Sequence, residues 1–107
     1  MGMANLQRMA MQMQQDMARI QAELGEAEIV GSAGGGIVRA VVTGKQELRS
    51  VSIDPGAVDP DDVQMLQDLV VAAVNDALES SRRLAEQKMS AVTGGLGGGL
   101  GGLLGGR

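Results

Sequence analysis

The chain has 107 residues and a net charge of −4, and it lacks cysteine, histidine, phenylalanine, tyrosine and tryptophan. These absences exclude disulfides, thiolate chemistry and imidazole bases or ligands, and no apolar run approaches the ~20 residues of a membrane-spanning helix. A core built only from Met, Leu, Ile, Val and Ala is thin, because aromatic side chains supply the largest buried areas, so we expect oligomerisation.

The first predicted element is a helix that begins near Leu6. Its apolar residues recur at alternating spacings of four and three, which is typical of a coiled-coil seam. Gly25 predicts the end of the helix. The seam consists of Leu6, Ala10, Met13, Met17, Ile20, Leu24 and Ala27.

Three short β-strands are predicted next. Residues 28–30, 37–43 and 48–53 are rich in β-branched side chains, and they are separated by Gly34-Gly35-Gly36 and by Gly44-Lys45. Short strands separated by glycine-containing turns are typical of an antiparallel meander with φ > 0 positions in its turns. The middle strand is partly apolar on both faces, so we expect each face to be covered, one of them by a partner subunit.

A second long helix follows the sheet. Asp59 is the predicted N-cap and Pro60 the first helical residue, and the apolar stripe runs to about Met89, with Ser80-Ser81 as a candidate bend. Thr93-Gly94-Gly95 predicts its end. We therefore expect one domain over residues 1–93 and a glycine-rich, disordered tail over residues 94–107.

The glycines do not form a phosphate-binding enzyme loop. A Walker A motif and a G-x-G-x-x-G motif both fail at Arg39, and a strand follows each glycine cluster where both motifs need a helix. The clustered carboxylates of Asp54, Asp59, Asp61 and Asp62 suit turns and helix capping better than a metal site. We expect no enzymatic activity, no cofactor, no metal and no small-molecule substrate.

Basic residues are segregated along the chain. Residues 1–19 and 80–93 together hold five basic and two acidic side chains, whereas the remaining residues hold four basic and eleven acidic ones. If the two helices pair antiparallel, their tips become a basic surface on an acidic body, with Arg8 close to Arg82, Arg83 and Lys88. A solvated helix face explains such charges as well. The candidate DNA-binding residues are Arg8, Arg19, Arg82, Arg83 and Lys88.

The order and spacing of several motifs resemble the YbaB/EbfC family of bacterial nucleoid-associated proteins. The resemblance covers roughly residues 3–96, and only the glycine run of residues 97–107 departs from it. The matching motifs follow a Gln/Met-rich first helix and are Val30-Gly31-x-x-Gly34-Gly35-Gly36-Ile37-Val38, Gly44, Val51-x-Ile53-Asp54-Pro55, Asp68-Leu69-Val70-x-Ala72-Ala73-x-Asn75-Asp76-Ala77, Lys88-Met89 and Thr93-Gly94-Gly95-Leu96.

This resemblance implies an α+β fold of order α-β-β-β-α and a tweezers-like homodimer with projecting helices. It also implies a non-enzymatic protein that binds double-stranded DNA in the cytoplasmic nucleoid. The lack of aromatic side chains argues against single-strand binding, and the lack of a helix-turn-helix argues against a sequence-specific major-groove reader. The alternative is a protein–protein adapter that acts with DNA repair or replication factors.

Overall fold

A computed structural model describes the backbone of residues 2–100 and the side chains of residues 2–92. The order of the elements is α-β-β-β-α, as the sequence predicts. A short 3-10 turn, Pro55–Ala57, lies between the last strand and the last helix. The elements are α1 (Met3–Glu26), β1 (Glu28–Ala33), β2 (Val38–Thr43), β3 (Leu48–Ile53) and α2 (Val63–Leu100).

The strands form the predicted antiparallel meander, with β2 in the centre. Val38 lies opposite Ala33 of β1 and Ile53 of β3. The turn between β1 and β2 consists of residues 34–37, and Gly34, Gly35 and Gly36 within it have φ angles of 63°, 72° and 99°. Residues with a Cβ rarely adopt these angles, so the predicted role of the glycines in a φ > 0 turn is confirmed.

One face of the sheet is covered by the first half of α2. Val38, Ala40 and Val42 of β2 are fully buried against Ala73 and Ala77 of the helix. Small residues on both sides bring the helix close to the sheet. The closest approach is at Gly31 of β1, where an added Cβ would collide with the backbone nitrogen of Ala77.

The opposite face of the sheet has no cover within the described part of the chain. Val30 on this face is 57% exposed, although Val41 beside it is half-buried. Every residue of β3 is exposed, and its outer edge pairs with no other described strand. The expectation that both faces of the sheet are covered is therefore not met within one chain.

Helix α2 begins later and ends later than the sequence predicts. Asp62 caps it by accepting a hydrogen bond from the Met65 backbone nitrogen at 3.2 Å, so the predicted cap at Asp59 and first turn at Pro60 are wrong. Asp59 instead accepts from the backbone nitrogen of Asp61 in the preceding turn. The helix passes through Gly94-Gly95 and ends at Leu100.

The serine pair of α2 does not interrupt the helix. Ser81 is fully buried, and its hydroxyl donates a hydrogen bond of 2.7 Å to the backbone oxygen of Thr43 at the end of β2. A buried hydroxyl needs such a partner, since leaving it unpaired costs about 1–3 kcal/mol. Ser81 therefore attaches the helix to the sheet at the point where the helix leaves it.

The two helices extend from the same end of the sheet. Helix α1 ends one residue later than predicted, at Glu26, and the Gly44 backbone nitrogen donates to the Leu24 carbonyl at 2.8 Å. The chain has a radius of gyration of 20.1 Å, against about 13 Å for a compact domain of this length. This difference reflects the two helices, which project beyond the sheet as arms.

Candidate nucleic-acid interface

The pairing of the two arms is fixed by contacts near the sheet. The Lys88 ammonium of α2 donates to Glu23 Oε1 of α1 at 3.1 Å. A groove between the helices is lined by Arg19 and Ile20 on one side and by Val92 on the other. As the residue numbers rise along α2 they fall along α1, so the arms run antiparallel, as the sequence predicts.

This register separates the basic residues that we expected to meet at the tips. Arg8 lies about four helical turns, or about 22 Å, beyond Glu23 along α1. Arg82 and Arg83 lie between the Glu23–Lys88 pair and the sheet. They directly follow Ser81, whose hydroxyl contacts the end of β2. The predicted meeting of Arg8 with Arg82, Arg83 and Lys88 is wrong, because the contacts of Ser81 with Thr43 and of Lys88 with Glu23 hold this part of α2 near the sheet.

Three of the five candidate residues form ion pairs within the chain. Arg19 contacts Asp16 at 3.4 Å and Glu23 at 3.7 Å, and Arg83 contacts Glu79 at 2.9 Å. These arginines are more than half exposed, and such surface pairs contribute only about 0–1 kcal/mol. Lys88 is more enclosed, with a third of its side chain exposed. A phosphate must therefore compete with a carboxylate for each of these cations.

The other two candidate residues are exposed and make no ion pair among the described residues. They are Arg8, near the start of α1, and Arg82, at the base of α2. An unpaired cation contacts a phosphate without first losing a carboxylate partner. The structure therefore divides the candidate set into two unpaired and three paired cations.

Lys45 is a further cation that makes no ion pair among the described residues, and the sequence analysis did not include it. It lies in the hairpin between β2 and β3, and a Cβ added to Gly25 of α1 would be 3.7 Å from the Lys45 Cε. The Gly44-Lys45 turn signal places this residue in a loop, but only the folded chain brings that loop to the arms. Arg49 lies close to the same end of α1. It pairs with Glu28 at 3.6 Å and donates to the Gly25 carbonyl at 3.4 Å.

The opposite end of the molecule is acidic. Residues 54–78 carry six aspartates and no lysine or arginine, and they include the turn before α2 and the first half of that helix. Asp54, Asp59 and Asp62 accept backbone hydrogen bonds in turns and at the helix cap. All eight basic side chains of the described residues lie outside this acidic segment, together with seven acidic ones, so the charge of the molecule is uneven along its length.

Other kinds of site are not found in the described part of the chain. No three acidic side chains there converge on a common point where a metal ion could bind. Within the same residues, every helix is too short or too polar to cross a membrane.

Residues 1–96 match the sequence profile of the YbaB/EbfC DNA-binding family. The chain belongs to this family. It is 56% identical over 99 residues to a nucleoid-associated protein of Saccharopolyspora erythraea, with 90% of this chain and 85% of the relative covered. A nucleoid-associated protein of Moorella thermoacetica is 50% identical over 99 residues, with 90% of this chain and 95% of the relative covered.

A solved structure has the same fold as this YbaB/EbfC family member. An uncharacterized protein of Helicobacter pylori superposes with a TM-score of 0.69, and the match covers 81% of this chain and 91% of the other. The two sequences are 20% identical, so this similarity supports the α-β-β-β-α architecture alone.

Proposed function

We propose that this protein binds double-stranded DNA as a homodimer, mainly through the phosphate backbone, and serves chromosome organisation or gene regulation in the cytoplasmic nucleoid. The observation that carries the proposal is the uneven charge of a member of a DNA-binding family. Unpaired cations lie on the arms and at their base, and six of the seven aspartates lie at the other end. Such an arrangement orients the arms toward DNA and the acidic end away from it.

The chemistry of the arms favours contacts with phosphates over readout of bases. Arginine and lysine neutralise phosphates, and the glutamines of α1 add hydrogen-bond donors. No aromatic side chain is available to stack on unpaired bases, which favours duplex over single-stranded DNA. The binding surface needs no cofactor, metal or small-molecule substrate, and we assign it no enzymatic step.

The homodimer is supported by the apolar surface that one chain leaves open. Leu48, Val51 and Ile53 of β3 are 37–51% exposed beside an unpaired strand edge. Exposed edges of this kind are normally covered, because they pair readily with other strands. A second copy would cover the edge and supplement a core that has only seven buried apolar residues among the described side chains.

Light scattering coupled to gel filtration at micromolar concentration is expected to give the mass of a dimer, about twice 11.0 kDa. The physical reason is the apolar area that a second copy would remove from water. Val51→Lys places a charge on this strand and is expected to shift the mass toward the monomer. A monomeric wild type would contradict the homodimer.

A second candidate function is that of a protein–protein adapter for DNA repair or replication factors. The exposed Met3, Leu6 and Met11 at the start of α1 favour it, because methionine-rich surfaces adapt to several partners. The adapter would recover its partner from cell extracts after nuclease treatment and would not bind purified DNA at physiological salt.

A mobility-shift titration of random-sequence duplex separates the two functions. We expect saturable binding of the wild type to duplex and weaker binding to a single strand of the same length. Binding should be lost as salt is raised, because released counterions drive it. Failure to shift the duplex at physiological salt, with a partner recovered after nuclease treatment, would favour the adapter.

A further inference from the structure

The uncovered face of the sheet carries an arginine between two serines. Arg39 lies in the central strand β2, directly opposite Ser32 of β1 and Ser52 of β3, and all three residues are exposed. Directly opposite residues of an antiparallel pair point to the same face, with Cβ atoms about 4.5–5.5 Å apart. Val38 and Ala40, the neighbours of Arg39 along β2, point toward α2, so Arg39 points away from it. One guanidinium and two hydroxyls therefore form a row across the open face.

Ser32 is the nearer of the two serines. Its backbone nitrogen donates to Asp76 Oδ2 at 3.0 Å, so this N–H points away from β2. Such a residue belongs to a non-hydrogen-bonded pair of the ladder, in which the Cα atoms are only about 4.5 Å apart and the side chains are closest. The hydroxyl of Ser32 thus lies beside the stem of the Arg39 side chain.

The guanidinium of Arg39 has no partner among the residues that the structure describes. Its side chain makes neither an ion pair nor a hydrogen bond with any of them. Asp76, beside β1, accepts from the Ser32 backbone, and Asp54, directly after β3, accepts from the Gly56 backbone nitrogen at 2.9 Å. These carboxylates bind backbone nitrogens and leave the arginine available to a ligand.

The glycine turn leaves space beside this guanidinium. A Cβ added to Gly36 would lie 3.4 Å from Arg39 Nη2 and 3.6 Å from Arg39 Nε. The guanidinium therefore lies against the β1–β2 turn, at a residue that has no side chain of its own. A small anion can reach the Arg39 donors from solvent, between this turn and the serine row.

We propose that Arg39, together with the hydroxyls of Ser32 and Ser52, binds a phosphate group on the open face of the sheet. The planar guanidinium donates two parallel, charge-assisted hydrogen bonds to phosphate oxygens. The serine hydroxyls donate to the oxygens that remain. A carboxylate has only two oxygens, which the guanidinium alone can engage, so the additional hydroxyls favour phosphate. This inference is independent of the DNA-binding function proposed above, because the site does not include the arms.

NMR titration of the full chain with inorganic phosphate tests the site. Sodium chloride of the same ionic strength is the reference. We expect saturable shifts of the Arg39 Nε–H signal and of the Ser32 and Ser52 amide signals with phosphate only. Arg39→Gln should abolish saturation, and Arg39→Lys, which keeps the charge but not the planar fork, should weaken it. Arg82→Gln is the matched control, because it removes one exposed arginine that also makes no ion pair among the described residues.

The serines are tested by Ser32→Ala/Ser52→Ala, which leaves the charge unchanged. We expect the dissociation constant for phosphate to rise at least about threefold, because hydrogen bonds to a charged group are lost. Circular dichroism checks that each variant is folded. An unchanged dissociation constant would overturn the three-residue site. Shifts that do not saturate, that chloride reproduces, or that Arg82→Gln removes equally would also overturn it.

Two sources of phosphate are separated by titrating wild type and Arg39→Gln with random-sequence duplex. A loss of about eightfold in duplex affinity at 0.1 M salt supports a phosphodiester of DNA as the ligand. Unchanged duplex affinity, with saturable binding of inorganic phosphate, supports a free phosphate-bearing molecule. Duplex binding without any phosphate response at Arg39 would overturn this inference and leave the DNA-binding function intact. A phosphate response without duplex binding would contradict only that function.

Discussion

Gly31→Ala is expected to lower the free energy of unfolding by about 3 kcal/mol, the largest stability effect that the structure predicts for a single methyl group. The added Cβ would meet the Ala77 backbone nitrogen, and it would lie 2.6 Å from the carbonyl oxygen of Ala73. Both atoms belong to the backbone of α2, so no side-chain rotation relieves the collision. The helix must move away from Val38 and Ala40, which it shields from water.

Gly25→Ala is the matched control, because it adds the same methyl group where there is room. The nearest atom to its Cβ would be the Lys45 Cε at 3.7 Å, and the residue lies inside α1. Alanine replaces glycine in a helix with a gain of about 0.5–1 kcal/mol, so this variant should be slightly more stable. Urea denaturation of both variants at one protein concentration measures the difference. A Gly31→Ala variant as stable as the wild type would mean that α2 does not contact β1 this closely.

Removing two of the unpaired cations is expected to weaken DNA binding more than removing two paired ones. At 0.1 M salt each phosphate contact contributes about eightfold to the association constant, so Arg8→Gln/Arg82→Gln should lose about 60-fold for each arm that contacts the DNA. Arg19→Gln/Arg83→Gln carries the same change of charge. Its loss should be about 12-fold for each arm, because each arginine must first leave a surface ion pair that contributes about 0.5 kcal/mol.

Both double variants are measured by fluorescence anisotropy on one labelled duplex of random sequence. Circular dichroism and gel filtration check that the fold and the oligomeric state are unchanged. Equal losses would show that the total charge of the chain decides affinity and that the ion pairs do not. A larger loss for the Arg19/Arg83 variant would contradict the division into unpaired and paired cations.

The sheet and the order of the elements could be predicted from the sequence, because they depend on local patterns such as runs of β-branched residues and glycine turns. The predicted β3 matches Leu48–Ile53, and the three consecutive glycines give the expected φ > 0 turn. The start of α2 was misplaced because Asp59 and Asp62 are both good caps, and Asp62 accepts the hydrogen bond that begins the helix. Alternative caps three residues apart cannot be separated by local preference.

The arrangement of basic residues could not be predicted, because it depends on the register between two helices. That register is set by contacts far apart in the chain, such as Ser81 with Thr43 and Lys88 with Glu23. The sequence Ser80-Ser81 indicates a possible bend in the helix. In the structure the Ser81 hydroxyl instead donates a hydrogen bond to the end of β2. The position of Lys45 beside α1 also depends on contacts between distant parts of the chain, and no local sequence pattern predicts it.

The salt dependence of duplex binding tests the central proposal most directly. Association constants of the wild-type protein are measured with random-sequence duplex at several salt concentrations. About four phosphates contacted by one arm predict a slope of log K against log salt of about −3.6, and two equal arms predict about −7. A measured slope in this range supports backbone binding by the cations of the arms. Binding that is absent at low salt, or that does not change with salt, would contradict it.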